Sequence, residues 1–145
     1  MNTRNTNPDG LPDTLPVPGS LRAVAQAAQA RREPLVVMVT LKGCVFCDLV
    51  RNNYLGPMHR KGEVVAVQVN MLDRTTPLQA VQGHLTTPYD QVKAWNARIA
   101  PTLLFLDDQG REVAERLEGI SSADFYGAYL DDRLNQARTV IRQRR

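Results

Sequence analysis

The chain predicts an α/β domain with a central mixed sheet flanked by helices, and three observations carry that expectation. Leu35-Val36-Val37-Met38-Val39-Thr40-Leu41 is apolar almost throughout, as a strand covered on both faces must be. Apolar positions at helical spacing follow over 48–58, and Glu63 to Asn70 then reads as a second strand. A helix between two strands makes their pairing parallel. Thr102 to Leu106 is a third strand, turned by Asp107-Asp108-Gln109-Gly110 into an antiparallel edge over Arg111 to Leu117.

The remaining elements fall into order around these strands. Ser20 is a good N-cap, and Leu21, Val24, Ala25 and Ala28 give a first helix to about Arg32. Pro34 stops it. The cysteine-bearing helix is expected to end near Gly56-Pro57. Thr75-Thr76-Pro77 and Thr86-Thr87-Pro88 read as helix starts, which predicts a short helix near Leu78 to Gln82 and another from Tyr89 to Ala97. Gly119 breaks the chain and Ser121 caps a long final helix, whose stripe of Tyr126, Leu130, Leu134, Ala137 and Ile141 faces the sheet.

The chain has 145 residues, the size of one domain. Such a domain buries enough surface to need no disulfide reinforcement. Its net charge of +3 is modest and gives no case for nucleic-acid binding. Arg138, Arg142, Arg144 and Arg145 gather at the end, where they read as a solvated helix terminus. No apolar run reaches the length of about 18 residues that a membrane span needs. Residues 1–19 hold Pro8, Pro12, Pro16 and Pro18 among small polar side chains. They read as a flexible proline-rich tail, either a linker behind a removed signal or anchor, or a plain disordered terminus. The domain proper is expected over 20–145.

Cys44-Val45-Phe46-Cys47 contains both cysteines of the chain and lies where the first strand hands over to its helix. A helix start stabilises a thiolate, and a bridge across so short a loop gains little entropy. The pair therefore points to thiol–disulfide chemistry, with a soft-metal site as the alternative. Structural zinc asks for four ligands, and only His59 and His84 exist to complete a set. No metal or bound cofactor is expected. Trp95 reads as packing, and Asp107-Asp108 and Asp131-Asp132 as turn and surface residues.

The second anchor is Ile99-Ala100-Pro101-Thr102, directly before the third strand. Strand, CxxC, helix, strand, helix, X-Pro-Thr, hairpin, Gly and final helix is an order that resembles the thioredoxin superfamily. The likeness runs from about Leu35 to Leu134 and implies the thioredoxin fold, with an insertion before the strand that follows a cis proline at Pro101. It implies catalytic roles for Cys44, the attacking sulfur, and Cys47, the resolving thiol. By the same resemblance Val45, Phe46, Ala100 and Pro101 contact substrate, Ala100 by strand-like backbone pairing.

The departures from thioredoxin are informative. Gly43 stands where thioredoxins carry Trp before the first cysteine, and Met38 and Gln68 stand at the Asp and Lys of the usual proton relay. A carboxylate such as Asp48 or Glu63, or water, is left to take that part. The segment over 71–96 is longer than in thioredoxin and lies near the active face. An apolar inner dipeptide beginning with Val resembles those of bacterial periplasmic thioredoxin-like reductants. The expected protein is thus a monomeric thiol–disulfide oxidoreductase, a reductant of protein disulfides served by an upstream redox partner, in the periplasm. The alternatives are an oxidant or isomerase, a binding module or metal carrier on the same fold, and a cytoplasmic setting.

Overall fold

Residues 10–144 of the chain are described in the computed structural model. In chain order the elements are α1 (Leu21–Ala30), β1 (Leu35–Thr40), α2 (Val45–Val50), a π-helical turn (Arg51–Leu55), α3 (Gly56–Arg60) and β2 (Val65–Asn70). There follow β3 (Leu78–Gln79), β4 (Leu85–Thr86), α4 (Pro88–Ala94), β5 (Thr102–Leu106), β6 (Leu117–Glu118) and α5 (Tyr126–Gln143). The main sheet has the order β2-β1-β5-β6, with β1 parallel to β2 and antiparallel to β5. Among the described residues no helix is long and apolar enough to cross a membrane.

Alternation along the strands divides the core in two. Val36, Met38, Ala66, Leu103 and Phe105 face α2, α3 and α5, whereas Leu35, Val37, Val39, Val67, Val69, Leu104 and Leu106 face α1 and α4. The expected stripe of α5 is buried on the first side at every one of its positions. Ser20 caps α1, its hydroxyl accepting from the Ala23 N–H at 3.0 Å.

Four expectations about elements need correction. The cysteine-bearing helix does not stop at Gly56-Pro57 but runs on to Arg60. The π turn makes this possible: the Gly56 N–H reaches back to the Arg51 carbonyl, and Pro57, which has no N–H, then falls in the first turn of α3. A Cβ on Gly56 would sit 2.7 Å from that carbonyl oxygen, so glycine is required there. The short helix expected over Leu78 to Gln82 is instead a β-hairpin of β3 and β4. It is fastened to α1, with Ser20 Oγ donating to Gln79 Oε1 and Gln79 N–H donating to Gly19 O. The return strand expected over Arg111 to Leu117 shrinks to Leu117–Glu118 and a bridge at Glu112. Ser121 is not the cap of α5, which begins only at Tyr126.

The flexible tail expected over 1–19 is corrected for the residues that can be described; 1–9 lie outside them. Leu11, Leu15 and Val17 are buried, and Leu15, completely enclosed, packs in the layer with α2 and α5. Pro16 O accepts the Gln68 backbone N–H at 2.9 Å, so this arm runs along the open edge of β2. Three well-spaced apolar side chains supply the burial, although prolines and small polar residues surround them.

Three of the four terminal arginines are not a merely solvated helix end either; Arg145 lies outside the described residues. Arg138 and Arg142 both bind the buried Glu33 carboxylate, at 3.0 and 2.5 Å, and Arg144 binds the buried Asp107 at 2.7 Å. They tie the last turns of α5 to the start of β1 and the end of β5. Burial pushes the Asp107 carboxyl up, but donors from Arg144, Arg111 and Gln109 together hold it below its ordinary value.

Two outcomes test this packing. Leu15→Ala is expected to cost about 2–5 kcal/mol in urea denaturation, where a free tail would show no loss. Asp107 has a folded value below its unfolded one, so its contribution is present above about pH 4 and fades as pH falls through the folded value. The stability gap between wild type and Asp107→Asn is therefore expected to be widest near neutrality and to close in acid.

Candidate active site

Gly43 makes the turn out of β1 with φ +79°, a conformation costly for any side chain with a Cβ. The tryptophan expected there from the thioredoxin pattern would be strained, and no atom of the structure lies near where its Cβ would go. The turn delivers Cys44 as the N-cap of α2, in extended conformation. Its sulfur accepts the Cys47 N–H at 3.1 Å, and its carbonyl accepts from Asp48 N–H at 3.0 Å. One helical turn on, Cys47 is fully buried in the layer that holds Met38, Val50 and Phe105. The two sulfurs form a disulfide across a Cα separation of 5.2 Å.

The loop before β5 comes up beside this pair. The Ala100–Pro101 peptide is cis, and the Cys44 sulfur lies 3.9 Å from the Ala100 carbonyl oxygen. In the disulfide that sulfur bears no hydrogen, so this is a contact and not a hydrogen bond. The loop is pinned on both sides: Gly119 N–H donates to Pro101 O at 2.7 Å, and Thr102 Oγ1 donates to Ile99 O at 2.5 Å. Val45 is 75 % exposed, Phe46 55 % and Ile99 49 %, so three apolar side chains stand in water around the half-buried Cys44.

Beneath the cysteine helix lies a group that the sequence reading passed over. The Arg51 side chain has no exposed surface. Its Nε donates to Gln68 Oε1 at 2.9 Å, Nη2 to Thr40 Oγ1 at 3.0 Å, and Nη1 to Asp48 Oδ1 at 2.8 Å. Gln68 passes the connection on, its amide nitrogen donating to Pro12 O at 2.7 Å and Leu15 O at 2.8 Å. The signal was available in the spacing. Arg51 is four residues after Cys47 and four before Leu55, both buried, and Thr40 and Gln68 are polar residues inside otherwise apolar strands.

The candidates for the missing proton relay separate accordingly. Met38 and Gln68 are direct neighbours in the β1–β2 register, as their thioredoxin counterparts would be. Asp48 is paired with Arg51. Glu63 precedes β2 and so stands at the opposite end of a parallel strand pair from Cys44, about 20 Å away along the strands, which rules out a direct part in the relay. His59 and His84 lie apart from the cysteines. Burial holds the His59 imidazole below its ordinary value, and its Nδ1 accepts the Ala66 N–H. Among the described residues no group of three or more His, Cys, Asp or Glu side chains could hold a metal ion. Trp95 is half-buried against the α1–α4 side of the core.

The unequal burial of the two sulfurs has a direct chemical readout. After reduction, a brief pulse of iodoacetamide is expected to label Cys44 and leave Cys47 unmodified, as peptide mass spectrometry would record. Equal labelling would contradict the geometry.

Comparison with known proteins agrees with this architecture. A family model described as Thioredoxin-like domain matches residues 21–134. A solved structure titled DsbH Oxidoreductase aligns over 93 % of this chain and 94 % of its own at 15 % identity and TM-score 0.56. Thioredoxin h of Nicotiana alata aligns over 79 % and 90 % at 16 % identity and TM-score 0.51. A thioredoxin-fold protein of Helicobacter pylori aligns over 77 % and 83 % at 13 % identity and TM-score 0.52. These identities speak for the fold alone. A sequence search of curated proteins finds no match. The family match spans both the cysteine turn and the proline loop, and so the chain belongs to the thioredoxin-like family, with thiol–disulfide oxidoreductase activity in its Cys44–Cys47 pair.

Proposed function

We propose that the protein reduces disulfides in other proteins, with Cys44 as attacking and Cys47 as resolving thiol. The observation that carries this reading is the Cys44 sulfur itself. It is capped by the Cys47 N–H, half-exposed, and in contact with the carbonyl of Ala100. In the reduced protein the Cys44 thiolate attacks one sulfur of the substrate disulfide. The Cys44–substrate bond forms, the substrate S–S bond breaks, and the displaced sulfur leaves as a thiolate that takes a proton from water. Cys47 gives its proton to water and attacks Cys44 in turn; the Cys44–Cys47 bond forms, the Cys44–substrate bond breaks, and the second substrate sulfur leaves as a thiolate that takes up a proton. Two electrons have passed to the substrate. A dithiol protein upstream returns them by the same exchange run in the other direction.

Substrate is held, on this reading, by the backbone of Ala100 and Pro101, pairing with an extended segment. The exposed Val45 and Phe46 cover apolar side chains on either side of its cysteine. A cleft of about 500 Å³ lined by Met71, Tyr89, Val92, Lys93 and Arg98 ends two residues before Ala100. It gives the inserted segment a part in partner choice. The direction of electron flow is supported by what lies between the cysteines. Strong oxidants of the superfamily use a histidine there to stabilise the thiolate, and Val45-Phe46 offers none. The same dipeptide resembles periplasmic reductants, and the periplasm is the setting we propose. The protein acts as a monomer without a bound cofactor.

Reduced wild-type protein is expected to precipitate insulin by cleaving its disulfides, and Cys44→Ser to be inactive. Cys47→Ser is expected to accumulate partners as mixed disulfides that dithiothreitol releases. An inert wild type that binds copper or zinc stoichiometrically through its cysteines would sink the proposal in favour of a metal carrier.

A further inference from the structure

We propose that Asp48 and Arg51 are positioning residues that set how readily the Cys44 thiol ionises, and that they act in opposite directions. The inference rests on the reading of Cys44 as the reactive thiol and supplies a thiolate-stabilising charge that Val45-Phe46 does not.

Three features of the pair lead to it. The first is placement. Cys44 caps the helix, Asp48 lies one turn on and Arg51 nearly two, so all three share one side of α2 and its π turn; Cys47 and Arg51 are themselves one turn apart. The second is unequal solvation. The Asp48 side chain is 53 % exposed, whereas Arg51 is completely enclosed. Water screens the carboxylate; the guanidinium charge acts through a medium of low dielectric and reaches further. The third is rigidity. Each guanidinium nitrogen has its own acceptor, and only Asp48 among the three is charged. The cation is thus fixed in direction, and the one charge that answers it is screened by water while its own is not, so in this proposal the pair acts on the sulfurs as a net cation. A thiolate at Cys44 is favoured by Arg51 and by the helix amides, and disfavoured by Asp48.

Among the described residues, the other groups packed against the thiol pair are uncharged, and the nearby cation Lys42 is solvated and common to every variant compared below. From β1 come Met38 and Thr40, from β2 Gln68, and from the proline loop the Ala100 carbonyl. From α5 the same layer receives Tyr126, whose phenol burial pushes far up, with Tyr54 adding to it, so that it stays neutral. Lys42 is exposed on the loop that leads into the turn.

The test follows thiolate absorbance with pH in the Cys47→Ser background, where Cys44 is the single thiol. Arg51→Met is expected to lower the acid ionisation constant of Cys44 about tenfold, and Asp48→Asn to raise it about threefold or more. The double variant is expected to fall between them, and Arg51→Lys to stay near the parent. A residue that merely holds the helix together would not give shifts of opposite sign. Shifts in the same direction, or no shift in either, overturn the proposal. Should Arg51→Met not fold, Asp48→Asn and Arg51→Lys decide it: the first must raise the constant, and the second must leave it near the parent. Asp48→Asn with both cysteines present must also shift the equilibrium with glutathione towards the dithiol, tenfold corresponding to ~30 mV. None of these measurements uses a protein substrate. A chain inert towards insulin would defeat the proposed function and leave this inference to stand or fall by itself.

Discussion

A guanidinium with no access to water has to be answered by acceptors, and much of this molecule is arranged around answering Arg51. An isolated buried cation is costly enough that the fold would reject it. Here β1 supplies Thr40, β2 supplies Gln68 and the cysteine helix supplies Asp48. Each of these elements is thereby held to the other two at the end of the sheet where the chemistry sits. The π turn belongs to the same arrangement. It starts at Arg51 and adds one residue to the turn, which lets the helix continue past Gly56-Pro57.

The active face combines a rigid floor with an apolar rim. Cys47 is locked in the core, Cys44 is held by a helix amide, and the proline loop is pinned from Gly119 and Thr102. Nothing in this geometry depends on a side chain reaching from a mobile loop. The rim is formed by the backbone of Ala100 and by exposed Val45, Phe46 and Ile99, none of which offers a charge or a specific hydrogen-bonding side chain. On the function proposed above, such a surface would receive an extended chain of varied sequence, with selection left to whatever lies beyond it.

What could be read from the sequence was what local pattern encodes. The run over Leu35 to Leu41, the stripe from Tyr126 to Ile141, and the pairing of Cys44 with a distant Pro101 all carry their meaning in spacing. For Arg51 spacing gave only the inward face, four residues from Cys47 and from Leu55; an arginine on a helix is nearly always solvated, and its burial is decided by Gln68, 17 residues away. The hairpin at Leu78 was misread for a related reason. Thr-Pro suits a helix start, yet Gln79 is claimed by backbone and side-chain bonds to Gly19 and Ser20. The arm over 10–19 has a composition that favours disorder, and three apolar residues with a waiting groove overrule it. Tertiary partners decided each of these cases.

That arm also changes what the sheet can do in a crowded solution. A strand with free backbone groups along one side is a template on which other chains can add. β6 meets the problem at one border by being only two residues long. At the other border, β2 is shielded by a stretch containing Pro12, Pro16 and Pro18, residues that accept hydrogen bonds but have no N–H to offer. The covering segment completes the sheet without presenting a new ladder in its place. The edge of the sheet nearest the cysteine helix is in this way closed to strand addition by neighbouring chains.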